Sequence, residues 1–123
     1  MLKVHAKNLG TTAVLCLQGR IVTGETDTLR EVVQSVSETS AVVLDLAQVT
    51  TVDAHGLGVM LELRQQMLER GTRFELMNVS EPMSRVLEIT RLDSVFQITS
   101  GVEFFPQVAR DSRARVAALR PCA

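Results

Sequence analysis

Apolar and polar residues alternate in "LKVHA" (2–6). After the turn formers Asn8 and Gly10 of "KNLGTT", an apolar β-prone run resumes in "AVLCLQGRI" (13–21), so the opening predicts a hairpin. The period then changes. Within "TGETDTLREVVQSV", Leu29, Val32, Val33 and Val36 recur at i, i+3, i+4 and i+7, the stripe of an amphipathic helix. Thr23 or Thr26 is its expected N-cap, with Glu25 and Asp27 near the positive end of the dipole. "AVVLDLAQVT" (41–50) is almost continuously apolar, the pattern of a central strand covered on both faces. A second helix is predicted from near Asp53 to Gly71, a natural C′ residue, with Leu57, Met60, Leu61, Met67 and Leu68 on its buried side. "TRFELMNV" reads as another strand. Ser80 can cap a third helix that tolerates Pro82 in its first turn and repeats Met83, Val86 and Leu87 at helical spacing. "RLDSVFQIT" (91–99) predicts a last strand and "FFPQVARDSRARVAAL" (104–119) a weakly amphipathic terminal helix.

This order predicts an α/β fold: a mixed, mostly parallel sheet of about five strands against about four helices, joined by right-handed crossovers after the hairpin. The 123 residues fit one domain, 1–123, with no repeat, linker or low-complexity stretch.

Composition narrows the function. With no Trp or Tyr and four Phe, the core must be aliphatic, and aromatic stacking on nucleic-acid bases has almost nothing to work with. The net charge of −1 divides unevenly: residues 110–123 carry Arg110, Arg113, Arg115 and Arg120 against Asp111, a net of +3, so the body carries −4 and repels phosphate backbones. No nucleic-acid partner is expected. Cys16 and Cys122 have the spacing of neither a CxxC motif, a zinc site nor a disulfide framework, and are expected as free thiols in a reducing compartment. No stretch resembles a signal peptide or a membrane span, which predicts a cytoplasmic protein without stable membrane insertion.

Candidate chemistry concentrates in "TVDAHGLGVM" (51–60). A parallel strand ending near Val52 delivers the next loop to the carboxyl edge of the sheet, where α/β proteins usually bind ligands and partners. Asp53 is placed to cap the following helix by accepting from a backbone N–H of His55 or Gly56. Gly56 and Gly58 are costly in a first helical turn unless a close backbone approach demands them, whether from helix-on-sheet packing, a partner surface or an anion. His55 reads as a surface residue: no nearby His, Cys or Ser completes a triad, and paired metal-ligand spacing is missing. Gly56-Leu57-Gly58 does not extend into GxGxxG, because position 61 is Leu, and no phosphate-loop Gly-Lys-Ser/Thr occurs. Neither a metal, a cofactor nor catalysis is expected.

"VVLDLAQVTTVDAHGLGVMLEL" resembles the central motif of the STAS domain, the module shared by bacterial anti-sigma factor antagonists and the cytoplasmic part of sulfate transporters. "LQGRI" and "FELMNVSEPMSRVLEITRLDSVFQI" are similar to the flanking family segments, so the likeness spans about residues 2–108, with 109–123 left as a basic helix or tail. The resemblance implies a non-enzymatic, anti-sigma factor antagonist-like domain. Its implied partner is an anti-sigma factor or serine kinase-like protein, which can reverse binding by phosphorylating a Ser in the motif. That Ser falls on Ala54, which has no hydroxyl, and Val22 stands where the family often has an acidic residue. Thr50 and Thr51 are the nearest hydroxyls, in a strand-end setting that favours structural roles. The docking surface implied is Asp53, Ala54, His55, Gly56 and Leu57 with Arg20, Thr23 and Gly24 of the "RIVTGE" loop. An alternative is a STAS-like module that seats a small anion or nucleotide at the helix N-terminus, or a subunit of a lipid-transport complex. Oligomeric state is not written in the sequence.

Overall fold

The computed structural model describes residues 2–36 and 39–99. They form a hairpin, β1 (Lys3–Leu9) and β2 (Thr12–Ile21), followed by α1 (Thr26–Ser35), β3 (Ala41–Val52), α2 (Ala54–Glu69), β4 (Arg73–Met77), α3 (Glu81–Ile89) and β5 (Gln97–Thr99). The strands stand side by side in chain order, β1-β2-β3-β4-β5. Among the described residues, only the β1–β2 pairing is antiparallel. The mixed, mostly parallel sheet and the central place of β3 match the sequence reading. Three helices lie among the described residues, and the fourth, predicted over 104–119, falls outside them.

The hairpin turn is tighter than predicted. Leu9 pairs with Thr12 across Gly10 and Thr11, so Asn8 is a strand residue opposite Ala13 rather than part of the turn. The last strand is shorter than predicted, because only 97–99 pair with β4. Residues 91–96 turn instead, with Arg91 in the left-handed region at φ 60° and Phe96 buried beside Phe74 at a ring separation of 6.4 Å.

One face of the sheet carries the main core. Leu15, Leu17, Val42, Leu44, Phe74 and Leu76 meet Leu29 and Val33 of α1, Leu57, Met60, Leu63 and Met67 of α2, and Met83 and Leu87 of α3 in a single apolar cluster. Removing this aliphatic surface from water is the main term holding helices to sheet. On α2 the stripe is rotated from the expected one: Leu63 is buried, whereas Leu68 is 45% exposed. Gly71 ends that helix in the left-handed conformation at φ 75°, where a residue without Cβ is unstrained, and its N–H donates to the Leu68 carbonyl at 3.0 Å.

Alternation along the strands puts a second cluster, Val14, Cys16, Val43 and Met77, on the reverse face. Cys16 is disulfide-bonded, so the free thiol expected from the cysteine spacing is corrected for this residue; Cys122 lies outside the described residues. The spacing argument failed because it tests for short motifs and carries no information about long-range pairing. Among the described residues, no helix is long and apolar enough to cross a membrane.

Candidate functional site

β2 and β3 end side by side, with Arg20 paired to Thr51 and Ile21 to Val52, and both release their chains at the carboxyl edge of the sheet. From there the chain enters α1 through the 22–25 turn and α2 through Asp53, so the two helix N-termini stand next to each other. The register slips between Gly19 and Arg20, leaving Thr50 as an extra residue on β3 whose hydroxyl donates to the Gly19 carbonyl at 3.2 Å. That bulge gives Thr50 a structural partner. Thr51 is exposed on the strand.

Asp53 organises the junction. Its Oδ1 accepts from the Gly56 N–H at 2.7 Å, which makes it the N-cap of α2 as the sequence predicts. Its Oδ2 accepts from both the backbone N–H and the hydroxyl of Thr23, at 3.0 and 3.1 Å. Its own N–H donates to the Ile21 carbonyl at 3.2 Å. The Thr23 and Gly56 backbone donors stabilise the charged form and hold the carboxyl below its ordinary value. A side chain expected to cap one helix therefore also fixes the loop that leads into the other.

Gly56 is required by contact. A Cβ at this position would lie 2.0 Å from the Ile21 carbonyl oxygen, so only glycine lets the first turn of α2 approach the end of β2. At Gly58 the same added atom meets nothing within 4 Å, so the packing explanation offered for both glycines holds only for the first. Gly24, at φ 91°, lies within the turn closed by the Glu25 N–H donating to the Val22 carbonyl at 3.0 Å.

The N-cap predicted for α1 is corrected. Glu25 occupies that position without a side-chain cap, because Thr23 is committed to Asp53 and Thr26 is already helical. Buried Thr26 instead places its hydroxyl 3.1 Å from His55 Nε2, tying the first turn of α2 to that of α1. Two further contacts extend this seam: Arg30 Nε donates to Glu62 at 2.9 Å and Gln34 Nε2 to Gln66 at 3.2 Å. Arg20 sits 3.9 Å from Glu25 Oε2 with its side chain mostly exposed.

The predicted site residues thus converge at one edge, in different roles. Ala54 and His55 are exposed, Asp53 is half-buried, and Gly56 and Leu57 are buried beneath the tip and support it from below. Sequence reading missed the contact of Thr26 with His55 and the role of the Ile21 carbonyl. Neither carries a local signal, since their partners lie about 30 residues away in the chain.

The STAS domain family model matches residues 3–110. Similar solved structures include an anti-sigma factor antagonist from Mycobacterium paratuberculosis, at 18% identity, 98% of this chain, 95% of that one and a TM-score of 0.72. A sulfate transporter family protein from Wolinella succinogenes is similar at 22% identity, 75% and 80% coverage and a TM-score of 0.67. The Bacillus cell fate determinant SpoIIAA in its phosphorylated form is similar at 16% identity, 86% and 99% coverage and a TM-score of 0.65. These structures share the fold. With the family model spanning the hairpin, the whole sheet and the Asp53 junction, this chain belongs to the STAS domain family.

Proposed function

We propose that this chain is a non-enzymatic regulatory binding domain of the anti-sigma factor antagonist type. Its partner is an anti-sigma factor or serine kinase-like protein in the cytoplasm, engaged through the α2 tip and the loop of Arg20, Thr23 and Gly24. The observation that carries this reading is an exposed methyl group, Ala54, on the first turn of a helix braced from two sides by Asp53 and Gly56. A braced surface loses little conformational entropy on docking. Phosphorylation at such a position would add nearly two negative charges beside the Asp53 carboxylate and oppose docking. Ala54 offers no oxygen for that reaction, so in this reading the tip stays in its binding-competent form and Thr50 and Thr51 do not replace the acceptor.

Similarity to two structures, an anti-sigma factor antagonist and SpoIIAA in its phosphorylated form, supports the partner class. The sulfate transporter likeness favours the second reading, an anion or nucleotide seated at the α2 N-terminus. Against it, the Asp53 carboxylate already takes the Gly56 N–H and puts its own negative charge where an anion would sit.

Affinity capture from the native cell extract tests the proposal, with wild type compared against Ala54→Asp. Wild type is expected to retain an ATP-binding anti-sigma protein that Ala54→Asp loses. Equal capture by both would place the docking surface elsewhere. Titration with phosphate, sulfate and nucleotides is expected to leave the thermal midpoint unchanged, whereas a clear rise would support the anion reading.

A further inference from the structure

The amino edge of the sheet, at the end of α2 remote from the proposed docking tip, holds a cavity of about 200 Å³. Register explains its position. β5 begins at Gln97, opposite Glu75, so among the described residues Arg73 and Phe74 have no strand beside them on that side, and the sheet is notched. Side chains from both faces reach the notch. Arg73 and Glu75 line it from one face of β4 and Phe74 from the other, while Arg64 and Leu68, one turn apart on α2, and residues 94–97 complete the wall.

The charged groups of this wall are unequally satisfied. The Glu75 side chain is 2% exposed; its Oε1 accepts from Arg73 Nη2, whereas the buried Oε2 has no hydrogen-bond partner among the described residues. A carboxylate oxygen shut away from water without a donor is costly, and the adjoining cavity is a route by which a donor can arrive. Arg64 is half-buried, and its guanidinium makes no ion pair among the described residues. One cation and one carboxylate oxygen are therefore available at a cavity whose remaining surface includes Phe74, Phe96 and Leu68.

The geometry points to a free α-amino acid with an aliphatic side chain as the occupant of this cavity. Its carboxylate pairs with Arg64, its ammonium donates to Glu75 Oε2, and its side chain lies against the two Phe rings, whose centroids are 6.4 Å apart. Arg73 is a positioning residue. A carboxylate has lone pairs enough to keep Arg73 on one oxygen while a small side-chain rotation turns the other to the ligand. Size agrees with this assignment: at liquid density the cavity has room for roughly seven waters, which suits a branched-chain amino acid and falls below the usual pocket for a larger ligand. Sulfate would meet Arg64 but bring no donor to Glu75, and a simple amine would meet Glu75 but leave Arg64 bare. Both poles are needed.

Titration of the full chain with L-leucine, 4-methylpentanoate and 3-methylbutylamine separates the poles, because the last two are leucine without its ammonium and without its carboxylate. Leucine should bind in calorimetry and raise the thermal midpoint by about 5 °C at about tenfold excess over its dissociation constant. Each analogue should bind at least tenfold more weakly. Glu75→Gln should lose the leucine response; since that position is buried, Arg64→Gln supplies the independent arm and should keep the unliganded midpoint while losing the leucine shift. No response to leucine, isoleucine or valine, binding of either analogue as tight as leucine, or an unchanged leucine shift in Arg64→Gln would each overturn the assignment.

Discussion

The tips of α2 and α3 begin alike and end up different. Each follows a parallel strand, and each is capped by a side chain accepting from the N–H three residues on: Asp53 from Gly56 at 2.7 Å, Ser80 from Met83 at 3.4 Å. Ser80 makes a local contact, with Pro82 pre-shaping the first turn behind it. Asp53 reaches back 30 residues to take both donors of Thr23, and the glycine it caps lets the helix touch the end of β2. One cap starts a helix. The other welds two segments of chain into a single rigid edge, which is what the proposed docking surface needs.

The largest break in this contrast is expected from Gly56→Ala. The added methyl would sit 2.0 Å from the Ile21 carbonyl oxygen, and separating α2 from β2 to relieve the clash should cost about 3 kcal/mol in urea denaturation. At the matching position of α3 the native residue is Met83, whose side chain is already packed in the core, so the α3 tip has no close-approach glycine to break.

Asp53→Asn comes next. It should lower the thermal midpoint by more than Ser80→Ala, because it weakens the clamp as well as the cap. The effect should also depend on pH. The folded carboxyl holds its proton less tightly than the unfolded one, chiefly because the Thr23 and Gly56 backbone N–H groups favour the anion. Its contribution is therefore present above the unfolded value of about 3.9 and is lost as pH falls through the lower folded value. Midpoints of wild type and Asp53→Asn measured down an acid series should converge at the acid end. A gap that is independent of pH would mean the carboxylate's charge is not what matters.

Ser80→Ala should cost about 1 kcal/mol, the ordinary worth of a helix cap, and leave partner capture untouched. Smallest and opposite in sign is Gly58→Ala. It fills open space in a helical turn and should stabilise the protein by roughly 0.5–1 kcal/mol in the same urea assay. Opposite signs for alanine at positions 56 and 58 separate a glycine required by contact from one that is merely tolerated.

The same contrast explains what could be read without coordinates. Element order, the central β3 and both side-chain caps followed from periodicity and local capping chemistry, which act over a few residues. The hydrogen bonds from Thr23 to Asp53, the contact of Thr26 with His55 and the touch of Gly56 on Ile21 are set by the β2–β3 register and by helix packing. They leave no short-range trace. The misplaced α1 cap has the same origin: each threonine considered for it was drawn away by a partner on α2 or at its N-cap. Leu68 was assigned to the buried side because it is apolar, although the orientation of α2 over the sheet sends Leu63 inward in its place. Disulfide bonding of Cys16 escaped for a related reason, since motif spacing tests only for cysteines close together in the chain.

Isothermal titration of the captured anti-sigma protein into wild type and Ala54→Asp tests the proposed docking tip most directly. A charge placed there should weaken binding at least tenfold while the thermal midpoint of the variant stays within a few degrees of wild type. Equal affinity for the two proteins would contradict the account.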